Sequence, residues 1–261
     1  MVQNEKKSKI QLVSIVMPVY NERKTIEAIV KRVQKTEIFK ELIIVDDGSN
    51  DGTREWLQER FGPGCGRENV RGESSDQCLA ELAPVQVIVH SSNQGKGAAL
   101  KTGFQNAKGS ILIVQDADLE YDPQAYPRLL EPLLTDQADV VYGSRFLGEW
   151  QGTWPLISYW GNKMFTGLAN GLTGLAITDV WTGYKVLKKE VLEAITLEES
   201  GFDMELELTL KIAQQHWRIT EVPISYAPRS KADGKKIRWR DGLQSIRTLY
   251  RYRTRRLSSS G

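Results

Sequence analysis

The sequence predicts an α/β fold built on a mostly parallel β-sheet. Short apolar runs rich in β-branched residues alternate with segments whose apolar residues repeat at helical spacing, which is the pattern of βαβ units. The runs are apolar throughout, as is typical of strands covered on both faces. Ligand sites in such sheets lie beyond the carboxyl ends of the strands, so the residues that follow each run are the first candidates for function.

The pattern places the elements as follows. Strands are predicted at residues 12–17, 42–45, 85–89, 111–114, 139–142 and 219–226. Helical spacing is clear around residues 26–33 and 98–107, and further helices are predicted at residues 156–172, 203–215 and 240–255. Residues 62–84 interrupt the alternation with a stretch rich in Gly and polar residues, which we interpret as a surface insertion.

Length and composition allow one sizeable core or two modest ones, because the chain of 261 residues is 40% hydrophobic and 26% charged. We predict a single globular domain over residues 1–261. It contains no run of eighteen apolar residues and no apolar stretch of the signal-peptide kind near its start, so we expect a cytoplasmic protein without a transmembrane segment. In a reducing compartment Cys65 and Cys78 are expected to be free thiols, and the two histidines, His90 and His216, to be structural.

A pair of acids follows the predicted strand at residues 111–114. Asp116 and Asp118 are one residue apart at a strand end, so both carboxylates can point the same way and bind one hard divalent cation. Glu120 continues the spacing, as a third ligand or a sugar contact. Oxygen ligands suit Mg²⁺ or Mn²⁺, and such an ion would neutralise a departing nucleoside diphosphate. A helix cap and a solvated acid are the structural alternative.

Two other strand ends carry polar groups. Asp46 and Asp47 follow the second strand, and we expect the Asp47 carboxylate to accept hydrogen bonds from a nucleobase or ribose, with a turn and helix cap as the alternative. The segment 93–97, which contains Lys96, precedes a helix and either meets an anion there or simply starts the helix.

Several cations follow the later strands and are candidates to bind phosphate. They are Arg145, Arg229, Lys235 and Lys236. Between residues 229 and 256 eleven Lys or Arg stand against two Asp, so the positive charge is local. We expect this basic segment to contact an anionic membrane surface or substrate phosphates rather than nucleic acid, a solvated helix face being the neutral alternative.

An apolar stripe runs along the predicted helix at residues 156–172. It comprises Ile157, Trp160, Met164, Leu168 and Leu172. Such a stripe is typical of a helix face packed into a core, which is our expectation here. A membrane-facing role is the alternative, because Trp150, Trp154, Tyr159 and Trp160 are residue types that favour bilayer interfaces.

Seven motifs, taken together and in order, resemble the inverting family 2 glycosyltransferases of GT-A fold, and within them the dolichyl-phosphate mannose synthase-like group. The motifs are Pro18-Val19-Tyr20-Asn21-Glu22, Val45-Asp46-Asp47-Gly48-Ser49 with Asp51-Gly52-Thr53, Asn93-Gln94-Gly95-Lys96-Gly97, Asp116-Ala117-Asp118, Gly143-Ser144-Arg145, Asp179 with Gly183-Tyr184-Lys185, and Arg229 with Lys235. The resemblance spans nearly the whole chain.

The resemblance implies a role for each matched position. Residues 10–145 would form the half that binds the nucleotide sugar and residues 146–261 the half that binds the acceptor near a membrane. Pro18, Tyr20, Glu22, Val45 and Asp47 would line the nucleoside pocket, with Ala117 and Glu120 also at the nucleotide sugar. Asp116 and Asp118 would hold Mg²⁺ or Mn²⁺, and Arg145, Arg229 and Lys235 would contact phosphates.

The implied reaction moves a mannose- or glucose-type hexose from a GDP- or UDP-sugar to a polyprenyl or dolichyl phosphate, at the inner face of a membrane to which the chain binds peripherally. The alternative is the same fold acting on a soluble or glycan acceptor in cell-envelope polysaccharide synthesis. A phosphate acceptor is already ionised, so positioning and charge stabilisation would dominate. A hydroxyl acceptor would require a carboxylate base, for which Asp179 is the first candidate and Glu205 the second.

Two other classes fit the sequence less well. A catalytically inactive nucleotide-binding module would be expected to have lost Asp116 or Asp118, and both are present. A sugar-1-phosphate nucleotidyltransferase would carry a Gly-rich signature with Arg near its start, where this chain has Pro18 to Glu22.

Overall fold

The computed structural model describes residues 11–62, 83–148, 156–229 and 239–254. These residues form one seven-stranded sheet flanked by helices. The strands are β1 (Val13–Val19), β2 (Lys40–Asp46), β3 (Val85–Val89), β4 (Ile111–Val114), β5 (Val140–Ser144), β6 (Lys185–Lys188) and β7 (Ile219–Pro223). The helices are α1 (Ile26–Gln34), α2 (Thr53–Phe61), α3 (Lys96–Asn106), α4 (Tyr126–Leu134), α5 (Leu156–Thr173), α6 (Lys189–Glu193), α7 (Met204–Gln214) and α8 (Trp239–Thr254).

The strand order in the sheet is β3-β2-β1-β4-β6-β5-β7. Strands β1 to β4 pair in parallel, β6 runs antiparallel to both of its neighbours, and β5 pairs in parallel with β7. All strands except β6 therefore end at the same edge of the sheet, which we call the carboxyl edge. Strand β6 runs the other way and so begins at the carboxyl edge, where the segment that leads into it lies.

Both faces of the sheet are buried, because successive side chains of a strand point to opposite faces. Ile15 and Met17 of β1 pack with α1 and α4 on one side, whereas Val16 packs with α3 on the other. All seven residues of β2 are buried, which explains why its central residues, Leu42 to Val45, are apolar without alternation. This two-sided core fixes the positions of the strand ends.

The structure confirms the predicted strands and adds one. The strands at residues 85–89 and 111–114 have the predicted ends, and the other predicted strands differ by a few residues. The last strand ends at Pro223 rather than at residue 226, and Tyr226 makes an isolated bridge to Tyr121. The sequence does not predict β6, because it is four residues long and begins and ends with Lys.

The expectation that the α5 stripe packs into the core is wrong for three of its residues, whereas Leu172 is half-buried against the core. Trp160, Met164 and Leu168 are 67%, 51% and 46% exposed, whereas Phe165 and Ala169 on another side of the helix are buried. The helix packs against α7 and α8 through that second side. Spacing alone predicts which residues share a face, but not which of two partly apolar faces the protein covers.

The apolar side chains of α8 are only partly buried. Leu249 lies in the core together with Tyr252, but Ile246 and Tyr250 are exposed. The described side chains do not include Ile157 of α5 or Leu243 of α8. Most of the predicted insertion, with Cys65 and Cys78, also lies outside the described residues, as do Trp150, Trp154, Lys235 and Lys236. Within the described residues, no helix has the length and apolar character needed to cross a bilayer.

Candidate active site

The acid pair after β4 lies at the carboxyl edge, and each acid contacts a cation of the chain. Asp116 Oδ1 is 2.9 Å from Lys96 Nζ, and Asp118 Oδ2 is 2.6 Å from Arg229 Nη2. The backbone turns sharply after Asp118, because Leu119 has a φ of 64°. A non-glycine residue in this left-handed region is strained, and such strain is frequent at functional sites. The structure thus brings both predicted metal ligands to one place.

The acids after β4 repel one another. Burial of the side chain, together with the charges of Asp116 and Glu120, raises the pKa of Asp118 to about 7, although Arg229 opposes the shift. Three carboxylates this close are stable as anions only when cations or donors compensate them. Lys96, Arg229 and the Tyr226 hydroxyl supply part of this compensation.

Arg229 closes this acidic site from the segment after β7. Its guanidinium binds both carboxylate oxygens of Glu22, at 3.0 and 3.1 Å, in addition to Asp118. Its backbone N–H donates to Glu120 Oε1 at 2.8 Å, and the Tyr226 hydroxyl donates to Glu120 Oε2 at 2.9 Å. Glu22 after β1, the acids after β4 and Arg229 after β7 are therefore one connected network.

A second cation, Arg145, lies beside this network at the end of β5. Its Nε and Nη2 donate to the two carboxylate oxygens of Asp179 at 2.7 and 2.8 Å, and its backbone N–H donates at 3.2 Å. Asn162 of α5 donates to the same carboxylate at 2.7 Å. The Arg145 guanidinium also lies 5.1 Å from the centre of the Tyr226 ring. Tyr226 thus contacts both the acidic network, through Glu120, and the pair formed by Arg145 and Asp179.

Asp179 is fully buried and saturated with donors. Burial alone would raise its pKa, but the charge and hydrogen bonds of Arg145 and the Asn162 amide outweigh burial and hold the pKa of Asp179 below its ordinary value. Such a carboxylate accepts a proton poorly. The geometry assigns it to orienting Arg145.

The second candidate base, Glu205, is also paired with cations. Its carboxylate oxygens lie 2.7 Å from Lys96 Nζ and 3.3 Å from Lys185 Nζ. Lys96 therefore bridges Asp116 and Glu205 at the start of α3. The sequence predicts for the segment of Lys96 either an anion contact or a helix start, and the spacing of the motif indicates neither of these two acidic partners.

Asp47 holds the loop that leads into α3. Its carboxylate accepts hydrogen bonds from the backbone N–H groups of Gln94 and Gly95, at 3.0 and 2.8 Å, and lies 2.7 Å from His90 Nδ1. The other ring nitrogen of His90 is 2.9 Å from the Thr102 hydroxyl, so the structural role expected for His90 is confirmed. Gly95 has a φ of 101°, which explains the glycine at this position.

The remaining residues predicted at the nucleoside are placed as follows. Pro18 and Val45 are register partners on β1 and β2, and Pro18 and Tyr20 are half-buried at the carboxyl edge. The side chains of Val45 and Ala117 are buried in the core, so they support the edge from below. Lys235 lies outside the described residues.

Two further residues that shape the site were given no role by the sequence. One is Asn162, an ordinary polar residue in an apolar helix until its contact with Asp179 is known. The other is Gly183: a Cβ added there would lie 2.3 Å from Asp116 Oδ2 and 2.8 Å from the Tyr121 ring. Only a glycine leaves room for the acid, and the sequence signal was its place in the motif Gly183-Tyr184-Lys185.

Comparison with known proteins identifies the family. The sequence model described as "Glycosyl transferase family 2" matches residues 14–196, from the second residue of β1 to beyond β6, and these include the acid pair. The chain belongs to glycosyl transferase family 2. The resemblance read from the motifs is therefore confirmed.

Three relatives of this family 2 glycosyltransferase have names that combine mannose with a polyprenyl or dolichyl phosphate. It is 28% identical to the dolichol-phosphate mannosyltransferase of Pyrococcus furiosus over 92% of the chain and 63% of the relative. It is 30% identical to the undecaprenyl-phosphate mannosyltransferase of Micrococcus luteus (84% and 85% covered) and 31% identical to the polyprenol monophosphomannose synthase of Mycolicibacterium smegmatis (86% and 82%). The chain thus spans less than two thirds of the Pyrococcus protein.

Solved structures support the predicted GT-A fold. The glucosyl-3-phosphoglycerate synthase of Mycobacterium tuberculosis, solved with Mn²⁺, uridine diphosphate and glucosyl-3-phosphoglycerate, superposes with a TM-score of 0.67. The superposition covers 94% of this chain and 80% of the synthase chain, at 19% sequence identity. The same protein has also been solved with Mg²⁺ and uridine diphosphate. At this identity the likeness concerns the fold.

Proposed function

We propose that this family 2 glycosyltransferase moves a hexose, in the first place mannose, from a nucleotide sugar to a polyprenyl phosphate. The observation that carries the proposal is the acid pair Asp116 and Asp118, which meets Arg229 at the carboxyl edge with Arg145 beside it. Acids and cations in one place fit a metal-bound diphosphate and an anionic acceptor. The names of the three relatives supply the sugar and the acceptor.

The residues present fit a divalent cation. Within the described residues no three Asp, Glu, His or Cys side chains form a ready metal site. Mg²⁺ and Mn²⁺, however, are commonly held by one or two carboxylates with substrate phosphates and waters in the other positions. Asp116 and Asp118 would hold the ion, and Glu120, the predicted third ligand, instead binds Tyr226 and Arg229 here. A bound ion would neutralise charge on the leaving diphosphate.

The protein's own cations would position the phosphates. Arg145 is oriented by Asp179 and Asn162, so its planar guanidinium is held ready for one anion. Arg229 reaches Asp118 from the segment after β7. When a metal ion compensates the charge of Asp118, the Arg229 guanidinium would be able to bind a phosphate instead. Glu22, Tyr20 and Asp47 would lie on the nucleoside side of the site.

A phosphate acceptor fits better than a hydroxyl acceptor. Both candidate bases, Asp179 and Glu205, are paired with buried cations, and the pKa of Asp179 is lowered. Removing a proton from a sugar hydroxyl would require a free carboxylate with the opposite shift. An acceptor phosphate is already an anion and needs only to be positioned. Its lipid chain would place the enzyme peripherally at a cytoplasmic membrane face.

The test is transfer of labelled mannose from GDP-mannose, with Mn²⁺, to polyprenyl phosphate. We expect label in a product that extracts into organic solvent, none with the unphosphorylated polyprenol, and a loss of about 10²-fold or more with Asp118→Asn. UDP-glucose is the matched second donor. Label that appears only in water-soluble glycans would reject the lipid acceptor.

A further inference from the structure

Lys96 forms ion pairs with two acids that lie on different elements. Its ammonium is 2.9 Å from Asp116 Oδ1 and 2.7 Å from Glu205 Oε1. The three side chains are mostly buried, with 15% of Lys96, 18% of Asp116 and 8% of Glu205 exposed. Water screens ion pairs little at this depth, so the two carboxylates decide where the ammonium lies. Asp116 is a candidate metal ligand, whereas Glu205 lies in the first turn of α7.

Glu205 is held in place from its other side by Lys185. The Lys185 ammonium donates to the carbonyl oxygens of Val180 and Thr182, at 3.0 and 2.7 Å, and lies 3.3 Å from Glu205 Oε2. An ammonium has three N–H donors, and these three acceptors match them. Glu205 therefore has a second cation that fixes its position independently of Asp116.

The glycine after Lys96 brings the start of α3 against the start of α7. A Cβ added at Gly97 would lie 2.8 Å from the carbonyl carbon of Ser200 and 2.9 Å from Met204 Cβ, so a larger residue would push the two helices apart. This close approach lets Lys96, the first residue of α3, reach Glu205, the second residue of α7. The local sequence at the start of α3 thus builds the ion pair.

The two oxygens of Asp116 have different neighbours. Oδ1 contacts the Lys96 ammonium, whereas Oδ2 lies against the Gly183 backbone, where an added Cβ would overlap it. A divalent ion that binds Asp116 would therefore meet the ammonium at the same carboxylate. Two cations on one carboxylate repel each other. The ammonium would have to give way, and Glu205 is the anion that keeps it compensated.

We propose that Lys96 is a built-in counter-ion that competes with the divalent ion for Asp116, and that Glu205 is the positioning residue that retains the ammonium when the ion binds. These roles rest on the function proposed above, because they take Asp116 as a metal ligand. Lys96 lowers the affinity of the site for the ion. Glu205 limits this effect by attracting the ammonium towards α7.

The experiment is titration of the metal-free chain with Mn²⁺ alone, without nucleotide, followed by electron paramagnetic resonance. Lys96→Met removes the charge but keeps most of the side-chain length, and we expect Mn²⁺ to bind about tenfold more tightly. Glu205→Gln leaves Lys96 with Asp116 as its remaining acidic partner, and we expect Mn²⁺ to bind about tenfold more weakly. A general loss of structure would weaken binding in both variants, so the opposite signs identify the competition.

A double-mutant cycle tests whether Glu205 acts through Lys96. In the Lys96→Met background, Glu205→Gln is expected to leave Mn²⁺ affinity unchanged, whereas a long-range effect of the Glu205 charge would weaken binding in both backgrounds. The matched control is Lys101→Met, because the Lys101 ammonium, in the same helix, donates to the Glu198 carbonyl and the Ser200 hydroxyl. We expect this control to change Mn²⁺ affinity by less than about twofold. Circular dichroism verifies folding of every variant.

The outcomes separate these roles from the proposed metal site. If Mn²⁺ binding requires Asp118 but Lys96→Met does not tighten it, Lys96 is no competitor and the metal site stands. Lys96→Gln, which can still donate a hydrogen bond to either acid, is the second variant and should show the same sign as Lys96→Met. An effect of Glu205→Gln that persists in full without the ammonium would overturn the role of Glu205. If the original chain binds no Mn²⁺, or binds it without need of Asp118, the metal site itself fails and the competition with it.

Discussion

Asp118 shows how a residue can serve function at a cost to the fold. Its carboxylate is buried beside Asp116 and Glu120, which raises its pKa to about 7, and Arg229 compensates the charge only in part. A residue chosen for stability alone would be neutral here. The divalent cation proposed above would compensate this charge during turnover.

The variant Asp118→Asn should therefore be more stable than the original chain. A raised carboxyl pKa means that the folded protein keeps a proton which the unfolded chain loses, so stability falls as pH rises from about 4 to about 7. We expect the variant's Tm to exceed that of the original chain by almost nothing at pH 4 and by the largest amount at pH 8. The increase should be about 2–4 °C for each kcal/mol of repulsion removed. Thermal unfolding of both chains without metal ions measures it, and an equal gain at both values of pH would contradict this account.

Asp179 has the opposite character, because its lowered pKa shows that the folded protein favours its charge. Asp179→Asn leaves the buried Arg145 without its counter-ion, and we expect a loss of about 3–5 kcal/mol in the free energy of unfolding at pH 7. A lowered pKa stabilises the fold above about pH 4 and less as pH falls through the folded value, so the loss should shrink in acid.

Denaturant unfolding at several values of pH measures this loss. The control is Asp136→Asn, since Asp136 also pairs with an Arg but is exposed, and we expect it to cost far less stability than Asp179→Asn. Equal effects of the two substitutions would show that the Asp179 pair is not special.

At the scale of elements, the segment leading into β6 shapes the site from the side. Gly183 lies against Asp116, its backbone N–H donates to the Tyr121 hydroxyl at 2.8 Å, and no larger residue fits without moving one of them. Because β6 is antiparallel to β4, it begins at the carboxyl edge, and the backbone that enters it passes close to the acid pair. A parallel strand would enter the sheet at the opposite edge.

Gly183→Ala should displace the Asp116 carboxylate from Lys96 while leaving the sheet intact. We expect turnover to fall by about 10- to 100-fold, since misplacement of a ligand by about 1 Å is sufficient for such a loss. Gly161→Ala is the control, because a Cβ there meets nothing within 4 Å. Steady-state rates at saturating Mn²⁺, with circular dichroism for the fold, give the comparison. Equal rates for the two variants would remove Gly183 from the site.

The sequence predicts elements well where burial is complete and poorly where the environment decides. Strand β4 has its predicted ends, and all four of its apolar residues are buried. The edge strand β3 also has its predicted ends, although it is only partly buried. Strand β6 escapes prediction because Lys185 is buried yet bound by Val180 and Thr182 carbonyls, an arrangement that local sequence does not reveal. For α5, periodicity indicates a stripe but not its exposure.

At the scale of the whole molecule, function follows from the order of the strands. The parallel strands bring the ends of β1, β2 and β4 to one edge, and β5 and β7 add Arg145 and the segment that carries Arg229. Glu22 and Arg229 are 207 residues apart in sequence and form a two-pronged ion pair. The motifs predict that such residues meet, but the pairing of each acid with its cation requires the three-dimensional arrangement.

The central claim is that Asp116 and Asp118 hold one divalent ion together with a nucleoside diphosphate. The most direct measurement is titration of Mn²⁺, followed by its electron paramagnetic resonance signal, with and without GDP, using the original chain and the Asp116→Asn and Asp118→Asn variants. We predict that GDP tightens Mn²⁺ binding to the original chain at least about tenfold, and that either variant loses this gain. Binding of Mn²⁺ that GDP leaves unchanged, or that survives both substitutions, would contradict the account.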